Sequence, residues 1–486
     1  MDPQTPAPVE PRRLAVNFVY LAAGEFAAKL LTFASFSYMA RVLGPFYYGL
    51  LEFTLALMVF FTLPVDLGLG AYGAREIARN PRDATRLLHE ITGLRVLLAI
   101  VSMLALGSFI VFHQNIKLKL LLTLYGLSLL GGPFLLQWFF QAHDKMHWVA
   151  IASIVRQAVF AILVFLFCHE KTNVLRIGVA ECVSVAAVGL FCLYIARHRM
   201  RYSWAWPDLR LGRLLVHLKQ ALPIGLTELA WAFMWYFCTV LLGFIYSDSS
   251  LGWFSASHRA LMALHTFVWL YFFNLLPSIS RCASRPHEHL LELMDRSVRF
   301  ASWVGLFAAA LLTVVSPLVL TIIYGPAFRE AWSSFSVLVW MLPVAMLSGH
   351  HRYILVAYNQ QKWLLFSTVV SAAAAVGLSF LLVPLYNGPG AALALLLANL
   401  VNFALVYLCV RKLVVPVPIT RQLVAPLLAL AASVVFYMAL ARWNFWAAVA
   451  GASAVYACAL ARFDGRNLMA FVHKIIRKPA VNAETA

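Results

Sequence analysis

The stretch LAVNFVYLAAGEFAAKLLTFASFSYMA, residues 14–40, is almost wholly apolar, yet it carries Glu25 and Lys29 in its middle. A second stretch of the same kind, LPIGLTELAWAFMWYFCTVLLGFIY at 222–246, carries Glu228. Each run is long enough to form a helix that crosses a bilayer, which needs roughly 20 apolar residues. A carboxyl group near the middle of a bilayer is costly, so it marks a functional residue by default.

The two stretches hold equivalent places in a weak internal repeat. Glu25 stands 24 residues before Gly49, and Glu228 stands 24 residues before Gly252. Matched charges at one depth in two halves of a membrane chain are typical of a transporter built from repeated bundles. The repeat therefore predicts two parallel six-helix lobes, related by an axis along the membrane normal, around a central cavity.

The composition places the whole chain in a membrane. Hydrophobic residues make up 62% of its 486 residues, and charged residues only 12%. Long uncharged runs recur along its length, which is the pattern of a polytopic helical protein. A β-barrel would instead show short segments of alternating hydrophobicity. The chain is predicted to be an all-α polytopic membrane protein.

We predict about fourteen spans, including two short C-terminal ones. They cover residues 14–40, 49–72, 88–113, 118–142, 147–168, 174–196, 217–245, 251–280, 298–324, 333–357, 363–385, 389–410, 422–440 and 444–461. Basic polar breaks after the sixth and twelfth spans divide the chain. The predicted parts are a cytoplasmic tail at 1–13, an N-terminal lobe at 14–196, a linker at 197–216, a C-terminal lobe at 217–412, two appended helices at 413–466 and a tail at 467–486.

The net charge of +18 follows the predicted topology. Most Lys and Arg residues fall in the two tails and the even-numbered loops, as the positive-inside rule requires when both termini are cytoplasmic. The distribution argues against a nucleic-acid partner and predicts a multi-pass membrane protein with both termini in the cytoplasm. Seven scattered Cys residues lack the spacing of disulfide frameworks or zinc sites.

Five segments at loop edges carry a family resemblance. They are ARVLGPFYYGL at 40–50, VDLGL at 65–69 with REIA at 75–78, QWFFQA at 137–142, LGWFSASHR at 251–259 and VPLYNGPGAA at 383–392. Together they resemble the polysaccharide-biosynthesis exporters, the O-antigen-type flippases of the multidrug, oligosaccharidyl-lipid and polysaccharide exporter superfamily. The resemblance spans roughly residues 14 to 412.

This resemblance implies a flippase without enzymatic activity. Its substrate would be a polyprenyl-diphosphate-linked oligosaccharide, such as an O-antigen repeat unit of lipopolysaccharide, moved to the outer leaflet by alternating access. It implies no cofactor beyond coupling to H⁺ or Na⁺. Membrane lipids, a polysaccharide polymerase and a chain-length protein are the partners expected beside the substrate.

Buried cations are the candidates for substrate contact, because the diphosphate is anionic and a guanidinium binds phosphate oxygens in bidentate fashion. The candidates within predicted spans are Arg156, Arg259, Lys29 and Arg352. A structural ion pair with Glu25, Glu228 or Glu181 is the open alternative. Trp231 and Trp235, one helical turn apart, are candidates for stacking on sugar rings, although contact with lipid explains them equally well.

Glu25 and Glu228 are the candidates for ion coupling. Desolvation disfavours a charged carboxyl and a nearby cation favours it, so a carboxyl between the two effects can exchange a proton or bind sodium. Two alternatives stay open. Either Glu residue could form a structural pair, as the Glu25–Lys29 spacing of four suggests, or it could bind a sugar hydroxyl.

Three other functions compete with this interpretation. A cation-coupled drug or metabolite antiporter of the same superfamily would favour an acidic cavity and twelve spans. A peptidoglycan-precursor flippase would share the fourteen spans and the cationic cavity. A membrane glycosyltransferase or polymerase would need a sizeable outer loop, which this sequence lacks. The GLGAYG string at 68–73 matches a dinucleotide fingerprint, but no strand precedes it, and no catalytic or metal site is predicted.

Overall fold

The computed structural model describes residues 11–202, 210–246 and 249–465. Residues 1–10 of the predicted N-terminal tail, residues 203–209 of the predicted linker, residues 247–248, residue 466 and the whole predicted C-terminal tail at 467–486 lie outside the described residues. Within the described ranges the chain is helical and has no β-strand. This confirms the predicted all-α membrane class.

Fifteen α-helices occupy these ranges. They are α1 (Pro11–Asp66), α2 (Leu69–Arg79), α3 (Ala84–Phe112), α4 (Ile116–Ser128), α5 (Gln137–Ala142), α6 (Met146–Phe167), α7 (Val174–Tyr194), α8 (Leu211–Ile245), α9 (Ser249–Cys282), α10 (His287–Tyr324), α11 (Trp332–Leu338), α12 (Met341–Ala357), α13 (Gln361–Leu413), α14 (Thr420–Leu440) and α15 (Phe445–Phe463).

Twelve helical stretches of the described residues are long and apolar enough to cross a membrane. Two of them, Ala23–Arg79 and Gln361–Leu413, contain 57 and 53 residues, whereas one crossing needs roughly 20. Each contains a non-helical residue, Gly44 at φ 72° in α1 and Asn387 at φ 52° in α13. Gly and Asn are the residues that best tolerate a positive φ. The prediction of fourteen spans treats each of these two stretches as two spans. The number fourteen stays a prediction.

The predicted fourth span, 118–142, is not one continuous helix. It divides into α4, a 3₁₀ turn at Gly132–Phe134 and the short α5. Pro133 lies in that turn, where its missing N–H and fixed φ end the α-helical ladder. The irregular connection brings Leu135 and Gln137 to the wall of the cavity described below.

The first of two compact units comprises residues Met1–Gly252. In it, α1 packs against α6 and α8, and α6 packs against α7. The aromatic residues of α5 form the centre of a core cluster with Ile91 of α3. Phe139 and Phe140 are completely buried, and burial of a Phe side chain contributes about 1.5–3 kcal/mol.

Helix α8 belongs to this first unit, although the predicted C-terminal lobe begins at residue 217. A Cβ atom on Gly225 would lie 2.6 Å from the carbonyl carbon of Leu67, so α8 approaches the end of α1 backbone to backbone. The rings of Phe60 and Phe233 pack at 4.9 Å between centroids. Close packing of this kind explains why α8 groups with α1, and the predicted lobe boundaries stay a prediction.

The second unit comprises residues Trp253–Ala486. Its long helix α10 packs against α11, α12, α14 and α15. Asp464, just after α15, accepts hydrogen bonds from Arg299 Nη1 at 2.7 Å and from Trp303 Nε1 at 2.8 Å. Gln422 of α14 donates to Asp295 at 2.9 Å. These polar contacts fix the two C-terminal helices onto α10.

Candidate functional site

A polar cavity of about 240 Å³ lies inside the first unit. Its walls come from α1, α6, α7 and the connection between α4 and α5. The polar side chains that line it are Glu25, Lys29, Thr32, Gln137, Ser153, Arg156 and Gln157, and the apolar ones are Ala28, Leu135 and Val188. Charged and amide groups enclosed by spanning helices are expensive in hydrocarbon, so their concentration here makes the cavity the candidate site.

A chain of hydrogen bonds crosses this cavity. Gln137 Nε2 donates to Ser153 Oγ at 3.1 Å, and Ser153 Oγ donates to Glu25 Oε1 at 3.2 Å. The chain joins α1, α5 and α6, and it keeps the Glu25 carboxylate directed into the cavity. Glu25 is half-buried.

Arg156 forms an ion pair at the same cavity. Its Nη2 donates to Glu181 Oε1 at 2.7 Å, which links α6 to α7. The Arg156 side chain is 40% exposed and that of Glu181 is 16% exposed. The sequence leaves two alternatives open for Arg156, and the structure contains the ion pair. Arg156 also lines the cavity.

Lys29 lies one helical turn after Glu25 and lines the same cavity. Its side chain is exposed. Three of the predicted site residues, Glu25, Lys29 and Arg156, are therefore brought together from two helices that are more than a hundred residues apart in sequence.

Glu228 of α8 lies elsewhere in the first unit, close enough to Asp66 and Arg95 to interact with both charges. Arg95 pairs with Asp66 at 2.5 Å and donates from Nη1 to the carbonyl of Leu135 at 3.3 Å. Asp66 also accepts from the backbone N–H of Gly70 at 3.1 Å. Leu135 also lines the polar cavity. It therefore contacts both that cavity and the Arg95 side chain that pairs with Asp66.

A buried network that the sequence analysis missed joins α3 to the start of α8. Glu90, whose side chain is 2% exposed, pairs with Arg213 Nη1 at 2.8 Å and with His217 Nε2 at 2.7 Å. His217 Nδ1 lies 3.0 Å from the hydroxyl of Tyr72 on α2. The only signal in the sequence is the spacing of four between Arg213 and His217, which puts both on one helix face.

The two predicted sugar-stacking residues do not line the polar cavity. The ring centroids of Trp231 and Trp235 are 5.8 Å apart, with planes inclined by 34°. Trp231 is exposed and Trp235 is buried, and so only Trp231 presents a face to a ligand. Lipid contact and sugar contact remain open for it.

The remaining two predicted cations belong to the second unit. Arg259 on α9 is half-buried, and Arg352 on α12 is exposed. Neither lies in the cavity of the first unit. In the same unit, His350 is buried and makes hydrogen bonds to the carbonyl of Met346 and the hydroxyl of Tyr271. Within the described ranges, no group of His, Cys, Asp and Glu is arranged to hold a metal ion.

Comparison with known proteins gives two relatives that match this chain over most of their length. The chain is 23% identical over 407 residues to the "Putative O-antigen transporter" of Escherichia coli strain K12, covering 82% of this chain and 96% of the relative. A protein of the same name from Shigella dysenteriae is 22% identical over 385 residues, covering 78% of this chain and 96% of the relative.

Two solved structures share the fold at low sequence identity. The lipid II flippase MurJ in an inward closed conformation matches with a TM-score of 0.72 at 14% identity, covering 93% of this chain and all of that one. An inward-facing multidrug resistance transporter of the MATE family and MOP superfamily matches with a TM-score of 0.63 at 14% identity, covering 81% of this chain and 95% of that one.

The named relatives are transporters, and the described residues contain twelve helical stretches long and apolar enough to cross a bilayer, so the chain falls in the class of multi-pass membrane transporters rather than enzymes. The sequence matches the family described as "Polysaccharide biosynthesis protein" over residues 14–283, more than half of the chain. The chain belongs to that family, which confirms the resemblance found in its sequence.

Proposed function

We propose that this protein is a flippase for polyprenyl-diphosphate-linked oligosaccharides. The substrate would be a repeat unit of O-antigen or of another surface polysaccharide, moved from the cytoplasmic to the outer leaflet of a bacterial inner membrane. The observation that carries the proposal is the polar cavity between spanning helices in a member of the polysaccharide biosynthesis family. Two relatives named as O-antigen transporters support this choice of substrate.

The physical task explains why such a cavity is needed. The head group of the substrate carries hydroxyls and a diphosphate, and roughly 30 Å of hydrocarbon separates the two aqueous sides. Leaving those polar groups without partners in lipid costs several kcal/mol each. Protein donors and acceptors that replace water along the route, exposed to one side at a time, lower that cost.

We assign substrate contact to Arg156 and Lys29 in the cavity, to Arg259 and Arg352 in the second unit, and to the exposed face of Trp231. The polyprenyl chain would stay in lipid while the head group moves. A polymerase and a chain-length protein would consume the product at the outer leaflet, and both would be membrane partners of the flippase.

We assign ion coupling to Glu25 and Glu228. Glu25 has a hydroxyl partner in Ser153 and lines the cavity with Lys29. Glu228 is close to one cation and one carboxylate, Arg95 and Asp66. A proton or Na⁺ bound at either carboxylate would remove a negative charge from its surroundings, and binding and release on opposite sides would drive the cycle.

Complementation in cells tests the proposal. The gene is expressed in a panel of bacterial strains that lack their own O-antigen transporter and make different repeat units. We expect surface polysaccharide to return in at least one strain, as read by antibody labelling and gel mobility of lipopolysaccharide. A protein that inserts in the membrane but restores none of them contradicts the proposal.

Two further strains separate the competing functions. Rescue of a strain that lacks its peptidoglycan-precursor flippase, without any return of surface polysaccharide, would favour the peptidoglycan alternative. Increased resistance to cationic drugs in an efflux-deficient strain, with neither rescue, would favour the antiporter.

A further inference from the structure

The charges at the polar cavity of the first unit balance. Lys29 and Arg156 are its two cations, Glu25 is a carboxylate on its wall, and Glu181 is the carboxylate paired with Arg156. A diphosphate site needs cations whose donors are not already used, because the strength of a phosphate contact comes from charge-assisted, bidentate bonds. Here Nη2 of the Arg156 guanidinium already donates to Oε1 of Glu181 at 2.7 Å.

The neutral groups in the cavity suit hydroxyls and amides. Gln137, Gln157, Ser153 and Thr32 add amides and hydroxyls to its wall, and each such group both donates and accepts hydrogen bonds. Thr32 donates its own proton to the carbonyl of Ala28 at 2.8 Å, which leaves the lone pairs of its oxygen for a donor on a ligand. Sugar hydroxyls and acetamido groups are ligands of this mixed kind.

The size and walls of the cavity limit what fits. A volume of about 240 Å³ is below the roughly 300–1,000 Å³ of pockets that hold drug-sized molecules. It is therefore suited to one sugar ring rather than to a whole oligosaccharide. Ala28, Leu135 and Val188 supply apolar wall, a surface that suits the C–H face of a pyranose ring.

From these observations we infer that the polar cavity is a subsite for one neutral sugar ring of the lipid-linked substrate, read by Gln137, Gln157, Ser153 and Thr32, and that it does not bind the diphosphate. This inference rests on the proposed flippase function and narrows it. Arg156 then forms part of the cavity wall, with its charge offset by Glu181. The amides and hydroxyls determine which sugar binds.

Binding to the full-length protein in lipid nanodiscs tests the inference. The probes are undecaprenyl diphosphates that carry a single glucose, galactose, N-acetylglucosamine or N-acetylgalactosamine, together with bare undecaprenyl diphosphate. The test variants are Gln157→Leu and the nearly isosteric Thr32→Val. The control is Gln114→Leu, the same change at an exposed position outside the cavity. Thermal unfolding of each variant verifies that it is folded.

We expect the wild type to bind at least one sugar lipid more tightly than the bare lipid. Loss of one hydrogen bond in Gln157→Leu or Thr32→Val should weaken that binding by up to about tenfold. Binding of the bare lipid should change less than about twofold, within the scatter of a surface substitution. The Gln114→Leu variant should match the wild type for every probe.

Three results would overturn the inference. They are an equal loss for the sugar lipid and the bare lipid, an unchanged affinity of both cavity variants for the sugar lipid, and a wild type that prefers none of the four sugar lipids to the bare one. Flipping by the wild type in proteoliposomes, measured in parallel, separates this failure from that of the proposed function. A protein that flips sugar lipids normally in both cavity variants refutes the subsite alone.

Discussion

Arg156 on α6 and Glu181 on α7 form an ion pair across two neighbouring helices, with Nη2 of the arginine 2.7 Å from Oε1 of the glutamate. The same arginine lines the polar cavity that also contains Glu25 and Lys29. The pair therefore has two roles, because it joins two helices and sets the charge of the cavity wall.

Exchanging the two charges tests the pair. Arg156→Glu and Glu181→Arg each bring like charges together, so each single variant should unfold at a lower temperature in detergent. The double exchange restores an opposite pair and should recover part of the loss, with a coupling free energy of about 0.5–3 kcal/mol. Thermal unfolding of the wild type, the two single variants and the double exchange measures this coupling free energy. If the losses of stability in the single variants simply add in the double exchange, the pairing is contradicted.

The Glu25 carboxylate is expected to couple transport to an ion gradient. Glu25→Gln keeps the shape of the side chain but cannot exchange a proton or neutralise Na⁺. In proteoliposomes, this variant should transport at the rate that the wild type shows without a gradient, whichever ion is imposed. Glu170→Gln, an exposed change outside the cavity, is the control and should respond as the wild type does. A full gradient response in Glu25→Gln would exclude Glu25 as the coupling residue.

The buried Glu90 network should be important for stability. Glu90→Ala removes the carboxylate from Arg213, whose side chain is 38% exposed, and from the largely buried His217, so it should lower the free energy of unfolding by about 1–3 kcal/mol. Glu292→Ala removes an exposed carboxylate, with 63% side-chain exposure, that pairs with Arg296. The Glu292→Ala control should lower the free energy of unfolding by about 0–1 kcal/mol. Chemical unfolding in detergent compares the two, and equal losses would show that the network contributes no more than a surface pair.

A close backbone contact predicts opposite effects at two glycines. A Cβ atom on Gly252 would overlap the carbonyl oxygen of Pro45, whereas one on Gly377 meets nothing within 4 Å. Gly252→Ala should therefore destabilise the protein by about 1–3 kcal/mol. Gly377→Ala, inside α13, should leave stability unchanged or raise it by up to about 1 kcal/mol. The shift in unfolding temperature of each variant gives the sign, and a neutral Gly252→Ala would contradict the close approach.

Local features of the sequence were sufficient for the fold class. Uncharged runs of bilayer length predict spanning helices because no other structure satisfies every backbone group within a single segment. The spacing of four between Glu25 and Lys29 places both on one face of α1, and both line the same cavity. Pro133 lacks a backbone N–H and lies within the predicted fourth span, and the helix is interrupted there.

Which side chains pair between helices could not be predicted from the sequence. Three carboxylates were open as partners of Arg156, and the selection of Glu181 depends on how α6 packs against α7. Glu90 stands near the edge of a predicted span, where a charge is inexpensive, so nothing in the sequence marks its burial. Its environment arises from the approach of α8 to α3, which brings Arg213 and His217 to it.

The most direct test of the account is transbilayer movement of a fluorescent polyprenyl-diphosphate oligosaccharide in proteoliposomes that contain the purified protein. We expect protein-dependent flipping, with a rate that changes when a proton or sodium gradient is imposed. Absence of flipping for every sugar-bearing lipid, together with export of a soluble cation by the same vesicles, would contradict the flippase function and favour an antiporter.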